Sequence, residues 1–342
     1  MKRIISLIII AIFITSLCAC GCDYDGPIIY TKTSIYFDTP CTITVYDYDN
    51  DDIDIYDTID EGFVLLGKLE KVFDKNYKKS DVYKLNHSNR KFVKVDDNFL
   101  KVIKYAKSFS KNNNDSFNVC LGSVIDLWGI DTEHPRVPAD KEIKNALKSV
   151  DFNSIKIKGK KVKLKNKDTC LDFGAIAKGF ATDALKKFLV KERITSGIID
   201  LGGNITTIGS KDGGNFKIGI QKPFGKKGQR SYIVECRNKS LSTAGIYERY
   251  FKQRGKLYPH IINPLTGYPI STDLYSVTVI GDKSITTDTL STALIVSGLK
   301  DGIKKVNKLD DVDAIFIDKN QKVHLSKNLN IDGNSITFKN NK

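Results

Sequence analysis

The chain has 342 residues, 41% of them hydrophobic and 27% charged, with a net charge of +14. Those proportions belong to an ordinary globular chain and exclude wholesale disorder, a collagen-like repeat and a multi-span membrane protein. A lysine-rich excess of this size raises nucleic acid as a partner, and the N-terminus argues against it.

Met1-Lys2-Arg3 is basic, and Ile4 to Leu17 carries no charge. That length fits the apolar core of an export signal and is short for a spanning helix. Leu17-Cys18-Ala19-Cys20-Gly21 then resembles a bacterial lipoprotein cleavage box. The sequence therefore predicts a signal peptide over 1–19 and diacylglycerol on the Cys20 sulfur, with Cys22 as fallback. It also predicts a tether over 20–34 and a lipid-anchored chain at the extracytoplasmic face of the cell membrane. Such a chain meets no nucleic acid, so the lysines read as a solvated face.

Further along, Cys41–Tyr46 alternates as a strand, and the acidic stretch Asp47–Asp54 reads as a loop. It lacks the glycine and glutamate of a calcium-binding loop. Helices are predicted over Thr58–Asp74, with Thr58 and Glu61 as a capping box, over Asp96–Ser110 and over Lys141–Val150. Lys156–Lys167 reads as a hairpin around Gly159 with a lysine-guarded edge. A helix over Ala175–Lys191 is followed by strands at Gly197–Leu201, Phe216–Gln221, Tyr232–Cys236 and Tyr275–Ile280. A helix over Thr287–Ser297 and strands at Ala314–Asp318 and Val323–Leu325 complete the chain. Interspersed helices and mostly antiparallel strands predict an α+β fold, two mixed lobes sharing a cleft, over residues 35–342. Seven cysteines without a CxxC pair are no disulfide framework; Cys41, Cys170 and Cys236 read as buried free thiols.

The chain has no GxxxxGK[ST] loop, GxGxxG fingerprint, GxSxG elbow or zinc spacing among its four histidines. Four segments remain. In Leu171–Gly179 a strand end, a turn at Gly174 and a helix start place Lys178 against the helix dipole, which suits a bound anion or a snorkelling side chain. Asp288 and Thr292 share a helix face, as hard oxygens for Mg²⁺ or as a cap and a back-bonding threonine. His260 stands before the turn Asn263–Gly267 and suits phosphate binding, proton transfer or a structural role. Gly202-Gly203-Asn204 and Thr243-Ala244-Gly245 permit close backbone approach to a ligand.

Taken in order, these motifs resemble the ApbE family, the FAD:protein FMN transferases. The marks are Gly122–Gly129, Asp172–Gly179 with Asp183, Asp200–Asn204, Thr243–Arg249, His260–Gly267, and Ser276–Val279 leading to Asp288 and Thr292. The resemblance implies that FAD is cleaved at its pyrophosphate and FMN passes to a threonine hydroxyl of a partner flavoprotein, with AMP leaving. It implies Mg²⁺ held by the Ala175 carbonyl, Asp288 and Thr292, and catalytic roles for His260 and Asp288. It implies FAD contacts at Phe37, Ser116, Phe117, Asn118, Asp172, Lys178 and His260. Phe37, Asn118 and Ala244 depart from the usual Met, Asp and Ser of the family. The expected acceptors carry a threonine flavinylation motif, as in Rnf- or Nqr-type subunits. The alternatives are an FAD pyrophosphatase giving FMN and AMP, and a non-enzymatic flavin-binding lipoprotein.

Overall fold

The computed structural model describes residues 26–48, 54–113, 115–226 and 228–339. The predicted signal, the lipidation site Cys20, Cys22 and residues 49–53 lie outside these. In chain order the first elements are β1 (Ile28–Tyr36), β2 (Thr39–Asp47), α1 (Ile55–Phe73), α2 (Asp81–Asn86), β3 (Val93–Lys94), α3 (Asp97–Asn113), α4 (Gly122–Trp128) and α5 (Asp140–Leu147). Then come β4 (Ile155–Lys158), β5 (Lys161–Leu164), α6 (Ala177–Lys191), β6 (Gly197–Leu201), β7 (Asn204–Ile208), β8 (Phe216–Gln221), β9 (Arg230–Cys236) and β10 (Ser240–Gly245). The last are β11 (Tyr250–Gln253), β12 (Lys256–Pro259), β13 (Leu274–Gly281), α7 (Ser284–Val306), β14 (Val312–Asp318), β15 (Val323–Leu325), β16 (Leu329–Asp332) and β17 (Ser335–Phe338).

Eight strands form one antiparallel sheet in the order β1-β2-β6-β7-β10-β13-β14-β15. A second sheet, β16-β17-β9-β8, covers one of its faces through Phe216, Ile218, Val234 and Ile336 against Leu241, Ile280 and Ile315. Helices cover the other face. α1 and α6 pack on β2 and β6 through Ile59, Leu66 and Leu185 against Ile43 and Ile199. α7 packs on β10, β13 and β14 through Leu290 and Leu294 against Val277, Val279 and Phe316. A third core ties α3 and the β4–β5 hairpin to the turn before α6. There Phe173 meets Phe73 and Phe99 at 5.7 and 5.3 Å between ring centroids. Burying one such ring contributes roughly 2–3 kcal/mol, so the turn after Phe173 is held from behind. The mixed, mostly antiparallel α+β architecture is the one the sequence predicts. Cys41, Cys120, Cys170 and Cys236 are free thiols, Cys170 only half-buried.

Several expectations need correction. The Thr58–Glu61 capping box does not form: α1 begins at Ile55, and the Asp54 side chain accepts from the Asp57 N–H. Ile55 belongs to the apolar face, so the helix starts as soon as that face does. The tether is shorter than 20–34, because residues from Ile28 pair with β2 along its length. α6 starts at Ala177, after a turn over 174–176. α7 runs to Val306 and breaks at Gly298, which has φ 76° and ψ 176°. β7 and β10 are strands with no apolar alternation. Their hydroxyls pair inside the protein, Thr206 with Ser240 and Ser242 with Thr287, each at 2.8 Å.

The Gly122–Gly129 and His260–Gly267 motifs meet directly. The buried Trp128 indole N–H donates to the Gly267 carbonyl at 2.8 Å. Gly267 has φ 71°, and a Cβ there would lie 2.6 Å from Ile143 Cγ2. Gly267→Ala is therefore expected to destabilise the chain by about 2–3 kcal/mol. Urea unfolding followed by emission of Trp128, the single tryptophan, checks this; an unchanged midpoint refutes it.

Candidate functional site

α6 and α7 lie side by side, and each caps the start of the other. Asp183 of α6 accepts from the N–H groups of Ser284 and Ile285 at 2.7 and 2.9 Å. Asp288 Oδ2 of α7 accepts from the Gly179 N–H at 2.8 Å. Orphan N–H groups at helix starts want such acceptors. Gly179 is what lets the helices come this close: a Cβ would stand 2.5 Å from the Ser284 carbonyl oxygen and 2.7 Å from Asp288 Cβ.

This crossing sets free the oxygens the sequence singled out. In a continued helix the Gly179 N–H closes on the carbonyl four residues back, which is Ala175. Here it goes to Asp288, and the Ala175 carbonyl accepts no hydrogen bond among the described residues. Thr292 stands one turn beyond Asp288. Thr287, Thr289, Ser291 and Ser297 of the same helix all donate to α7 carbonyls. The Thr292 hydroxyl makes no such bond, so the back-bonding alternative does not hold. A carboxylate, a carbonyl and a hydroxyl on two adjoining helix starts are a hard-oxygen donor set that fits Mg²⁺. Among the described residues no three His, Cys, Asp or Glu side chains gather as a metal site.

Asp172 stands just before this crossing with both oxygens engaged. Oδ1 accepts from the Gly174 N–H at 2.8 Å, and Oδ2 pairs with Lys75 at 2.9 Å. Lys75 also reaches Asp126 at 2.7 Å. Burial pushes Lys75 down, yet Asp172 and Asp126 outweigh it and hold its pKa above the ordinary lysine value. Asp172 thus fixes the turn that presents Ala175. Sequence reading missed Lys75, which lies just past α1 where no periodicity marks it.

His260 follows β12. Its Nδ1 lies 3.1 Å from the Arg249 carbonyl, which only accepts, so Nδ1 carries the proton and Nε2 is an acceptor. Burial, then the charges of Arg249 and Lys178, push its pKa down to about 3. The ring is neutral at neutral pH, which disfavours the reading of His260 as a phosphate-binding cation in the free chain. The same charges place Lys178 and Arg249 at the site, and both also act on Glu248.

The remaining predicted contacts lie around this centre. Phe37 and Asp38 form the β1–β2 turn at φ 52° and 56°, and the Phe37 N–H donates to Glu70 at 2.6 Å. Phe37 packs in the same core as Ala175. A bulky residue in that left-handed region is unfavourable. The Gly202-Gly203 turn closes over Thr39, and Asp200 accepts from the Gly203 N–H at 2.9 Å. Ser116, Phe117 and Asn118 are all buried. Ser116 lies 3.4 Å from Lys305 on the far half of α7, Phe117 meets Phe109 edge-on, and Asn118 accepts from the Cys120 N–H.

These features define a mixed α/β protein whose helix crossing exposes oxygens suited to a cation beside a lysine and a neutral histidine. The chain belongs to the ApbE family, whose family model matches residues 37–316. The FAD:protein FMN transferase of Treponema pallidum is 31% identical to it over 314 residues, covering 87% of this chain and 86% of that protein. The FAD:protein FMN transferase of Klebsiella pneumoniae is 30% identical over 301 residues, covering 87% and 92%. The crystal structure of the ApbE protein from Thermotoga maritima matches with a TM-score of 0.81 at 26% identity, covering 88% of this chain and 97% of that one.

Two outcomes test this geometry. Helix propensity alone makes Gly179→Ala stabilising by about 1 kcal/mol, whereas the clash makes it destabilising by about 1–3 kcal/mol; the sign of the shift in Tm decides. For His260, the folded pKa of about 3 lies below the ordinary 6.5. The unfolded chain therefore takes up the proton first, and stability falls as pH drops from about 6.5 toward 3. His260→Gln should flatten that part of the slope, and the His260 ring signals should not titrate between about pH 8 and 5 in NMR spectra.

Proposed function

We propose that the chain transfers FMN from FAD to a threonine hydroxyl of a partner flavoprotein, with AMP as leaving group. The relatives named above carry the flavin-transfer activity, and the oxygens at the α6–α7 crossing suit the pyrophosphate chemistry. The observation that carries the reading is the diverted Gly179 N–H, which leaves the Ala175 carbonyl free near Asp288 and an unbonded Thr292.

Ala175, Asp288 and Thr292 hold Mg²⁺, which when bound neutralises charge on the pyrophosphate. Lys178 holds the phosphate oxygens. The neutral His260 accepts the hydrogen bond of the incoming hydroxyl at Nε2 and so orients it. The hydroxyl oxygen bonds to the FMN phosphorus as the bond from that phosphorus to the bridging oxygen breaks. That oxygen leaves with AMP, and the hydroxyl proton passes to His260 Nε2, with Asp288 serving as a metal ligand. Lipid on Cys20 keeps the chain at the extracytoplasmic membrane face, where Rnf- or Nqr-type subunits are the acceptors.

Incubation with FAD, Mg²⁺ and an acceptor domain bearing the threonine motif should leave flavin fluorescence on the acceptor through a denaturing gel. Asp288→Ala should lower labelling at least about a hundredfold, and a chelator should abolish it. AMP release without label identifies a hydrolase instead, and flavin binding without AMP release identifies a binding protein. Cys20→Ser should move the chain from the detergent phase to the aqueous phase in a partition experiment.

A further inference from the structure

Two basic segments outside the proposed metal site meet on one surface. Residues 222–230 and 249–259 contain repeated Lys and Arg and no Asp or Glu. The Phe224 ring joins them, 5.7 Å from Tyr247, 6.1 Å from Tyr250 and 5.5 Å from Tyr275. Phe224 is 50% exposed and Tyr250 39% exposed. Phe224 also sits at φ 55°, a region a bulky side chain rarely adopts. Arg249 pairs with Asp131 at 2.9 Å. No carboxylate among the described residues pairs with Lys222, Lys226, Lys252 or Arg254. The result is an exposed aromatic platform between two basic segments in which, among the described residues, only Arg249 is ion-paired.

Its position ties it to the site. Tyr250 of β11 pairs with Pro259 of β12, and His260 follows at once. The Arg249 carbonyl, at the start of the platform, holds the His260 ring. The β11–β12 ribbon has only two strands, so each keeps an unpaired edge that an extended chain can join.

We propose that this surface receives the acceptor polypeptide as an extended acidic segment lying on Phe224, Tyr250 and Tyr275, with its hydroxyl reaching His260. The inference rests on the flavin-transfer reading. A polypeptide fits better than a membrane surface because of where the chain enters the sheet. Ile28 pairs with Asp47, and the Phe37 turn lies at the other end of β1. A nine-residue strand puts those ends roughly 30 Å apart. β10 runs past the Gly202-Gly203 turn, at the Phe37 end, before it reaches Tyr247. The platform is thus at the end away from the anchored N-terminus.

The test uses the full chain and two labelled peptides around one threonine, one flanked by Asp and Glu and the other by Asn and Gln. Fluorescence anisotropy should show the acidic peptide binding at least about tenfold tighter, with an affinity that falls with salt. Lys222→Glu/Lys226→Glu/Lys252→Glu should lose about tenfold of that affinity, and Phe224→Asn several-fold, while FAD affinity stays within about twofold. Equal binding of the two peptides, or unchanged binding by the charge-reversed variant, overturns the proposal. A parallel loss of FAD affinity assigns the surface to the nucleotide and also overturns it. So does loss of binding to anionic phosphatidylglycerol vesicles with peptide affinity intact. Peptide affinity decides this surface and acceptor labelling by the wild-type chain decides the activity, so the two readings fail separately.

Discussion

The exchange of carboxylates between α6 and α7 governs the geometry of the site. Each helix start presents N–H groups with no partner in its own chain of hydrogen bonds, and each receives an aspartate from the other helix. A carboxylate at a helix N-terminus gains both from the hydrogen bond and from the dipole. Sliding either helix by a turn breaks the caps together, so the pair fixes the register as well as the distance. Burial pushes Asp183 up, and the two N–H groups from α7 oppose that shift. The half-buried carboxylate thus draws its hydrogen bonds from the partner helix, with Lys186 and Lys283 adding to them. The free oxygens of the site follow from this pairing: once Asp288 takes the Gly179 N–H, the Ala175 carbonyl has no donor among the described residues.

A second set of charges holds the approach to α6. Lys75, Asp126 and Asp172 form a partly buried network, and a lone carboxylate at Asp172 in that place would be costly. Lys75 comes from beyond α1, Asp126 from α4, and Asp172 from the turn before α6. The network therefore joins three parts of the chain at the point where the turn must be rigid. The Phe73–Phe99–Phe173 packing does the same from the apolar side. Position in this turn is set by electrostatics on one side and by burial on the other.

How much of this is legible in the sequence depends on what makes each element. α1, α3 and the first part of α7 have clear apolar faces, and β8 alternates buried and exposed without a break; the sequence pattern finds all four. The motif residues Ala175, Lys178, Asp288 and Thr292 were also readable, because glycine, a helix start and an i, i+4 pair mark them locally. β1 is hidden because Ile28–Tyr36 is an edge strand whose isoleucines and threonines alike lie exposed, which blurs the alternation. β7 and β10 were hidden because serine and threonine fill their inward positions. Lys75 had no local signal at all, since its role exists only when α4 and the α6 turn are brought beside it. The burial of Ser116 and Phe117 likewise has no local signal, since a motif does not say which way a side chain points.

The polar interior under α7 explains why those strands tolerate so few apolar residues. Thr206 bonds Ser240 and Ser242 bonds Thr287, each at 2.8 Å. A hydroxyl pair is smaller than a pair of leucines, so the first turns of α7 lie close against β10. Each such bond contributes only about 1 kcal/mol net, but an unpaired hydroxyl in the same place costs more than the bond gains. That asymmetry penalises any shift of the helix start along the sheet. An apolar floor would bury more surface and still let Asp288 drift, since hydrophobic contact is non-directional. Directional bonds beneath the helix and carboxylate caps beside it together hold Asp288 and Thr292 where the start of α6 needs them.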